Sequence, residues 1–401
     1  MKFKSLLLLA GALFAGALSA GDAHPVKESG TKFASEAVMP YVQSGECPGL
    51  INVFYKQGVQ ETACLGWANV EKKQPMDMDK MFMQCSQTKG FCGVTIAMLV
   101  EEGKISLDDP VSKYLPEFKT LYVRVKTADG KWKKVQAKNV LTIRMVMNHT
   151  GGFGFEIPSK IKKGWSSLSL RDTAKEAARQ LLNFEPGTRA QYSNTGIDIG
   201  AAVIEVVTGK PWEVFLKERV LDPLGMKNTT FWPTDEQLAN SIAMYDVKGG
   251  QKAKFRAFNK WMPLPHNGPT VFPSAGAGLW TTANDQLKFY KMLMNLGVGD
   301  NGVRILKEET VKNLLATSTR PENLGLYSLG LHISANGWMR HGGAWGTSCS
   351  VNWKTRILSL KVVQFNGQPR PWDKALYQAA DKFFKQKFDS AAADAYTGRL
   401  K

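Results

Sequence analysis

The sequence predicts an α+β fold in which one antiparallel sheet, flanked by helices, is built from both ends of the chain. Strand-like segments occur near the N-terminus and return after residue 325, whereas the residues between them show mainly helical patterns. Strands at both ends can share one sheet if the helical part is inserted between them. We therefore expect a sheet domain of residues 30–84 and 325–390 and a mainly helical domain of residues 85–324, with a functional site between them.

The first elements are two strands and a helix. Residues 50–55 and 61–67 have the composition of strands, and Gly58 supplies the turn between them. Apolar residues then recur at helical spacing from Phe91 to Leu99, and Gly103 marks a stop. This pattern predicts an amphipathic helix that begins near Ser86.

The middle of the chain predicts helices, and the last part predicts strands. Helices are expected at residues 174–182, 196–207, 211–215 and 284–296, the last of them capped by Asn284. Four strands are expected at residues 326–333, 337–341, 347–353 and 357–365. These strands would form an antiparallel meander, followed by a final helix at residues 375–388.

The N-terminus predicts export. Two lysines lie in residues 1–4, and an apolar stretch at residues 6–18 is too short to span a bilayer. Small residues follow, which is typical of a signal peptide at residues 1–20. Since no later segment is long and apolar enough for a transmembrane helix, we expect a periplasmic or secreted protein.

Export makes disulfides feasible, and the chain has five cysteines: Cys47, Cys64, Cys85, Cys92 and Cys349. An odd number leaves at least one of them unpaired within the chain. Cys47 and Cys64 flank the first hairpin and could be linked, whereas Cys85 and Cys92 lie two helical turns apart and cannot bridge each other. The spacings do not suggest a metal site.

The chain is strongly basic, with a formal net charge of +17. Lysines cluster at residues 131–138 and again at residues 160–163. A basic surface attracts polyanions. Because no zinc-finger, helix-turn-helix or RNA-binding signature is present, we expect no nucleic acid partner, and we expect electrostatic association with an anionic cell envelope instead.

The spacing of Ser86 and Lys89 places a hydroxyl and an amine on the same face of a helix. A serine needs a neighbouring base to act as a nucleophile, and a lysine amine with a lowered pKa can be that base. The same spacing occurs at Ser29 and Ser159, but only Ser86 begins an apolar helical run. The alternative is that Ser86 is an ordinary N-cap and Lys89 a solvated side chain.

Two further motifs occur later in the chain. Tyr192-Ser193-Asn194 follows a Pro-Gly turn and precedes a helix. His341-Gly342-Gly343 lies in a C-terminal strand, where glycine often marks the close approach of a ligand or another backbone. Ordinary structural alternatives exist for both: a turn Asn with a half-buried Tyr, and a tight turn with a core histidine.

The order of these motifs resembles that of the penicillin-recognising serine hydrolases. This superfamily includes the class C β-lactamases, the S12-type D-alanyl-D-alanine carboxypeptidases and the family VIII esterases. The resemblance covers residues 35–390 and extends to residues 106–111, 146–152, 185–187, 221–226 and 277–285. His149-Thr150-Gly151 matches one form of the third motif, but it precedes Tyr192, so we expect it to be a structural loop beside the site.

The resemblance implies catalytic roles for three residues. Ser86 would attack a carbonyl carbon and form an acyl-enzyme, while Lys89 and Tyr192 take and relay the proton. Tyr192 could return the proton to the leaving group, helped by the positive charge of Lys89 and of His341. Neither a metal nor an organic cofactor is implied.

The resemblance also implies a substrate-binding set. Asn194 would hydrogen-bond Lys89 or the substrate, and the N–H groups of Ser86 and Ala344 would form the oxyanion hole. Gly342 and Gly343 would leave room for the acyl chain along the strand, beside His341 as a pH-dependent cation.

The third motif departs from the Lys-Thr-Gly that the β-lactamases usually have. His341 is a weaker cation than lysine, and Gly342 has no hydroxyl. We therefore expect a serine hydrolase for a D-amino-acid peptide, such as one derived from peptidoglycan, or for a small ester. The alternatives are a β-lactamase or penicillin-binding protein, and a non-catalytic cell-envelope binding protein.

Overall fold

The computed structural model describes residues 24–155, 168–248, 250–256, 272–366 and 370–388. The expected signal peptide, residues 1–20, lies outside the described residues. Within the described ranges, no helix is both long and apolar enough to cross a membrane.

The strands of the described residues are numbered in chain order. They are β1 (Val26–Ser29), β2 (Gly49–Lys56), β3 (Val59–Asn69), β4 (Gln74–Pro75), β5 (Phe82–Met83), β6 (Tyr122–Lys126), β7 (Trp132–Gln136), β8 (Leu181–Leu182), β9 (Met244–Asp246), β10 (Lys254–Arg256), β11 (Trp280–Thr281), β12 (His332–Ile333), β13 (Trp338–Gly342), β14 (Ser348–Asn352), β15 (Ile357–Val362) and β16 (Phe365–Asn366).

One antiparallel sheet unites the two ends of the chain. Its order is β1-β3-β2-β15-β14-β13-β12, and β4 pairs with the edge of β3. The junction is the pairing of β2 with β15, which runs from Lys56 opposite Ile357 to Ile51 opposite Val362. The predicted α+β fold class, with a sheet built from both termini, is confirmed. Three small sheets, β6-β7-β8, β9-β10-β16 and β5-β11, lie outside it.

The β2–β3 hairpin forms for a local reason. Gln57 and Gly58 both have positive φ, 49° and 93°, and this two-residue connection matches the right-handed twist of the flanking strands. The predicted turn at Gly58 is therefore confirmed.

The α-helices are also numbered in chain order. They are α1 (Phe33–Gln43), α2 (Thr88–Glu101), α3 (Ile143–Met147), α4 (Leu170–Ala178), α5 (Asn194–Thr208), α6 (Trp212–Leu216), α7 (Asp235–Ala239), α8 (Ala283–Met294), α9 (Glu308–Thr310) and α10 (Pro371–Phe384). Short 3₁₀ turns lie at Cys85–Gln87, Val111–Lys113, Pro116–Phe118 and Glu322–Leu324, and π-helical turns lie at Lys217–Leu221 and Val311–Leu315.

Several helix boundaries differ from the prediction, and the final helix, expected at residues 375–388, is Pro371–Phe384. The helix expected at residues 174–182 begins earlier, because Ser169 accepts a hydrogen bond from the Asp172 N–H and caps α4. The cap of α8 is Thr282 rather than Asn284, since the Thr282 hydroxyl accepts from the Asp285 N–H. In both cases nearby residues also suit the N-cap position, and the tertiary packing determines which of them caps the helix.

The sheet is covered on both faces. Helices α1 and α10 pack against each other and against β2 and β3, around a cluster that includes Phe54, Trp372 and Phe384. Helix α8 packs on β14 and β15 on the other face, where Phe289 stacks on Phe91 of α2 at 3.7 Å between ring centroids. The larger core continues from there into the helical region.

The suggested link between Cys47 and Cys64 is not present. All five cysteines are free thiols and buried. Cys64 packs in the core shared with α2 and α8, whereas Cys47 packs in the cluster beneath α1 and α10. The two thiols therefore lie in different cores, on opposite faces of the sheet.

The expectation that α2 is amphipathic is wrong, because every residue from Thr88 to Leu99 is buried. The chain crosses this helix closely at Leu329: a Cβ added to Gly93 would lie 1.8 Å from the Leu329 carbonyl oxygen. Gly330 completes the crossing with φ 74°. This tight turn also explains why only His332–Ile333 of the strand expected at residues 326–333 is extended. A buried helix of this kind gives its side chains fixed positions.

Candidate active site

Ser86 lies in the 3₁₀ turn that leads into α2, and its side chain points to Lys89 rather than to the helix backbone. The Ser86 Oγ and Lys89 Nζ atoms are 3.3 Å apart, and Ser86 is 2% exposed. No side-chain cap bond occurs at the start of α2. The N-cap alternative for Ser86 is therefore wrong, and so is the solvated Lys89, which is fully buried.

The Lys89 amine lies within hydrogen-bond distance of oxygen atoms of Ser86, Asn194 and Gly276. It donates to Asn194 Oδ1 at 2.6 Å and to the Gly276 carbonyl oxygen at 2.6 Å, in addition to its contact with Ser86. The two short bonds go to oxygens that can only accept. Ser86 is different, since a hydroxyl can both donate and accept.

This arrangement suits a neutral amine as well as an ammonium. A neutral amine has two N–H donors and one lone pair, so Asn194 and Gly276 take both donors and the lone pair faces the Ser86 hydroxyl. An ammonium instead donates to all three oxygens. The site can therefore hold Lys89 on both sides of a proton transfer from Ser86 without moving its neighbours.

Asn194 and Tyr192 reach Lys89 because α5 begins at this point. Ser193 is the N-cap, with its hydroxyl accepting from the Gly196 N–H at 3.0 Å and donating to the Gly154 carbonyl at 2.7 Å. Asn194 then lies in the first turn of α5, while Tyr192 stays on the loop, with its ring centroid 4.6 Å from Lys89 Nζ. An ammonium at this distance from a ring is stabilised by the π face.

His149 belongs to the segment that we expected to form a structural loop beside the site, and it lies next to Tyr192. Its ring lies 4.6 Å from that of Tyr192 and 4.6 Å from that of Tyr327. Its Nδ1 accepts from the Ser193 N–H at 3.3 Å, so it helps to fix the loop that carries Tyr192. Burial holds the pKa of His149 well below its usual range, and the imidazole is neutral.

His341 is also a neutral imidazole. Its Nδ1 is 2.7 Å from the Gly342 carbonyl oxygen, which can only accept, so Nδ1 carries the proton. Its Nε2 faces the Tyr327 hydroxyl at 3.4 Å. Burial, followed by the nearby His332 and Lys89, lowers the pKa of His341 far below the ordinary value. The expected role of His341 as a cation is therefore contradicted by its burial.

β13 ends at Gly342, and Gly343 and Ala344 follow it beside the segment that carries Ser86. A Cβ on Gly343 would lie 2.6 Å from the Gln84 carbonyl oxygen, so this position requires glycine. Ala344, whose N–H is the second expected oxyanion donor, packs against the cluster that contains Cys85. The two expected donors thus lie on neighbouring backbone segments.

Cys85 has a structural explanation in this contact. Its φ is 50°, and its side chain packs with Met81, Met83 and Trp280 beneath the turn at Ala344. Burial raises the pKa of the Cys85 thiol to about 12. A thiol in this state is a poor nucleophile.

Asp198 is a residue near the site that sequence reasoning missed. It lies one turn after Asn194 on α5, and its Oδ1 accepts from the Gly276 N–H at 3.0 Å and from the Ser274 hydroxyl at 3.2 Å. Asp198 therefore holds Gly276, the residue whose carbonyl oxygen accepts from Lys89. Burial raises the pKa of its carboxyl group to about 7. The signal in the sequence was an acidic residue inside an otherwise apolar helix.

Within the described residues, no group of three or more His, Cys, Asp or Glu side chains is arranged to hold a metal ion. The imidazoles of His149 and His332 instead lie against the Tyr327 ring, and that of His341 faces the Tyr327 hydroxyl. Burial, with the nearby Arg340, lowers the pKa of His332 to about 3.

Known proteins resemble this chain in sequence. Protein Rv1367c from Mycobacterium tuberculosis (strain ATCC 25618 / H37Rv) is 29% identical over 266 residues, which are 65% of each chain. Protein flp from Staphylococcus aureus (strain MW2) is 26% identical over 72% of this chain and 53% of its own length. The matches thus span between half and two thirds of these curated relatives.

Solved structures share the fold. EstCE1, described as a hydrolase with promiscuous acyltransferase activity, superposes with a TM-score of 0.71 at 23% identity, over 87% of this chain and 97% of its own. A mutant simvastatin synthase from Aspergillus terreus has a TM-score of 0.72 at 19% identity, over 88% and 96%. The model of the family described as Beta-lactamase matches residues 34–382. The chain belongs to the Beta-lactamase family.

Proposed function

We propose that the protein is a serine hydrolase that cleaves small esters through an acyl-enzyme at Ser86. The observation that carries this proposal is the 3.3 Å contact between Lys89 Nζ and Ser86 Oγ, made by an amine that short hydrogen bonds to Asn194 and Gly276 hold in place. A serine with an oriented base within reach is the arrangement that nucleophilic catalysis requires.

In the first step, Ser86 Oγ bonds to the carbonyl carbon of the ester while its proton moves to Lys89 Nζ. The carbonyl oxygen becomes an oxyanion, for which the N–H groups of Ser86 and Ala344 are the proposed donors. The C–O bond to the alcohol then breaks, and the departing alkoxide takes a proton from Lys89 or through Tyr192. The product of this step is an ester between the acyl group and Ser86.

In the second step, water attacks the acyl-enzyme and regenerates Ser86. The water proton passes to Lys89, directly or relayed through Tyr192, and the bond between the acyl carbon and Ser86 Oγ breaks. Ser86 Oγ then takes the proton from Lys89 as the carboxylic acid leaves. Asn194 and Gly276 contribute in both steps because they bind Lys89 in its neutral and its charged form. The Tyr192 ring, 4.6 Å from the amine, favours the charged form.

The preference for an ester follows from the charge of the third motif. D-alanyl peptides and β-lactams both carry a carboxylate, which binds best to a cation. His341 is neutral and its two ring nitrogens face Gly342 and Tyr327. A neutral acyl ester needs no such cation, so we place esters ahead of D-amino-acid peptides and place β-lactams last.

A parallel assay tests this proposal. The substrates are p-nitrophenyl esters of increasing chain length, a D-alanyl-D-alanine peptide and a chromogenic cephalosporin, each with wild type and Ser86→Ala. Ser29→Ala is the matched control, because Ser29 has the same spacing to a lysine but lies exposed on β1.

We expect ester hydrolysis by wild type and by Ser29→Ala, at least a hundredfold less by Ser86→Ala, and lower kcat/KM for the other two substrates. Hydrolysis that persists in Ser86→Ala would refute the assignment of the nucleophile. A kcat/KM for the peptide or the cephalosporin that is higher than that for the esters would overturn the choice of substrate. It would leave the assignment as a serine hydrolase unchanged. If the wild type turns over none of the substrates, the proposal of a hydrolase is contradicted and the alternative of a non-catalytic binding protein is favoured.

A further inference from the structure

The β6–β7 hairpin presents a surface that the proposed active site does not use. Its strands run antiparallel and β8 adds a third strand beside β6. The register defines which side chains share a face. Tyr122 lies opposite Gln136, Arg124 opposite Lys134, and Lys126 opposite Trp132.

One face of this small sheet points inward. Val123 is buried in the main core, and its partner Val135 packs against that core. Because side chains alternate along a strand, the residues between them point outward. We name this outer side the basic–aromatic face and define it by residues Tyr122, Arg124, Lys126, Trp132, Lys134 and Leu181.

The basic–aromatic face combines cations with exposed apolar groups. Trp132 is 63% exposed and Leu181 is 44% exposed. Arg124 lies 5.3 Å from the centre of the Trp132 ring, and Lys134 Nζ lies 3.9 Å from the centre of the Tyr122 ring. These contacts arrange the cations around the rings and leave their charge uncompensated.

No acidic side chain shares this face. Asp129 sits in the turn of the hairpin, where it pairs with Lys131. Of the ion pairs formed among the described residues, none involves Arg124, Lys126 or Lys134. The face therefore keeps three positive charges within one small area.

We propose that the basic–aromatic face docks on a bilayer that contains anionic phospholipids. Lysine and arginine side chains near such a surface are attracted by its negative potential. A tryptophan ring is suited to the headgroup level, where its apolar body leaves water and its N–H stays hydrated.

The exposed apolar side chains distinguish a bilayer from a soluble polyanion. A polyanion neutralises charge but offers no apolar phase in which Trp132 and Leu181 could be buried. A bilayer interface offers both. Removal of water from apolar surface then adds to the electrostatic attraction.

Vesicle co-sedimentation of the full chain tests this docking. One set of vesicles is pure phosphatidylcholine and the other contains about a third phosphatidylglycerol. The variants are the triple substitution R124Q/K126Q/K134Q and the single substitution Trp132→Ser. The control is K72Q/K73Q/K227Q, which removes three exposed lysines elsewhere. Every variant keeps the same N-terminus, so any contribution of that segment cancels.

We expect wild type to bind the anionic vesicles more tightly than the neutral ones, and the binding to weaken as salt is added. The hairpin triple variant should bind about a hundredfold more weakly, since each cation near an anionic bilayer strengthens binding about fivefold. Trp132→Ser should weaken binding about tenfold, and the control triple variant less than threefold. Unchanged ester hydrolysis in each variant shows that its fold is intact.

Two results would overturn the proposal. Equal loss in the hairpin and control variants would show that net charge alone attracts the protein. Full binding by Trp132→Ser would show attraction to any polyanion instead of docking on a bilayer, and equal competition by soluble polyglutamate would support that conclusion.

Discussion

The carboxyl group of Asp198 offers the sharpest quantitative test of the structure. It is 6% exposed, and its Oδ1 accepts from the Gly276 N–H and the Ser274 hydroxyl. Substitution Asp198→Asn keeps an oxygen in that position and removes the charge. Substitution Asp198→Ala removes the acceptor as well. The two variants therefore separate the effect of the charge from the effect of the hydrogen bonds.

The size of the expected change in the free energy of unfolding follows from the pKa of Asp198. Burial raises the pKa of Asp198 from 3.8 to about 7, so between these two values the folded protein holds a proton that the unfolded chain releases. The free energy of unfolding then falls as pH rises through this interval. A shift of about three pKa units corresponds to about 4 kcal/mol in total, at about 1.4 kcal/mol for each pH unit. Above about pH 7 this contribution is constant.

The assay is urea unfolding of wild type and Asp198→Asn at pH values from 4 to 8. We expect the stability of the variant relative to wild type to rise with pH up to about pH 7, by about 4 kcal/mol over the range. Asp172→Asn is the control, because that carboxylate is half-exposed and its pKa is lowered by bonds to Ser169 and Lys175. A constant difference between wild type and Asp198→Asn would refute the raised pKa.

Three further predictions concern the site. Lys89→Met should lower kcat by at least a hundredfold with little change in KM, because the base is lost, in a kinetic assay with the best ester. Tyr327→Phe should lower the free energy of unfolding by about 1–3 kcal/mol at pH 7 in urea, because His341 Nε2 loses its partner. Gly343→Ala should lower the melting temperature and slow acylation, because its Cβ would lie 2.6 Å from the Gln84 carbonyl oxygen.

Each of these predictions has a contrary result. Retention of more than a tenth of wild-type kcat by Lys89→Met would show that another group takes the proton. Unchanged stability of Tyr327→Phe would show that the contact with His341 contributes nothing. If Gly343→Ala has the same melting temperature as wild type, the backbone at Gln84 can shift away from the added Cβ at little cost in free energy.

Local features of the fold could be predicted from the sequence. The β2–β3 hairpin depends on Gln57 and Gly58, which are adjacent, and Ser86 and Lys89 are one helical turn apart. The sheet built from both ends was predictable because strand patterns near the two termini flank a mainly helical middle of the chain. These inferences needed only neighbouring residues or the order of elements.

Properties that depend on distant packing could not be predicted. Asp198 meets Gly276 across 78 positions of the chain, and Lys89 meets the same residue across 187 positions. The charge of His341 was misjudged because burial, which lowers its pKa, is set by elements that its own strand does not reveal. The periodic pattern of α2 did not show that both of its sides are covered.

The most direct test of the account is to locate the acyl group on the protein. Wild type is mixed with an activated ester, quenched in acid and analysed by intact mass and peptide mapping, beside Ser86→Ala and Cys85→Ala. We expect one acyl group on Ser86 in wild type and in Cys85→Ala, resistant to neutral hydroxylamine, and none in Ser86→Ala. An acyl group on Cys85, cleaved by hydroxylamine, or an adduct that persists in Ser86→Ala, would contradict the assignment of Ser86 as the nucleophile.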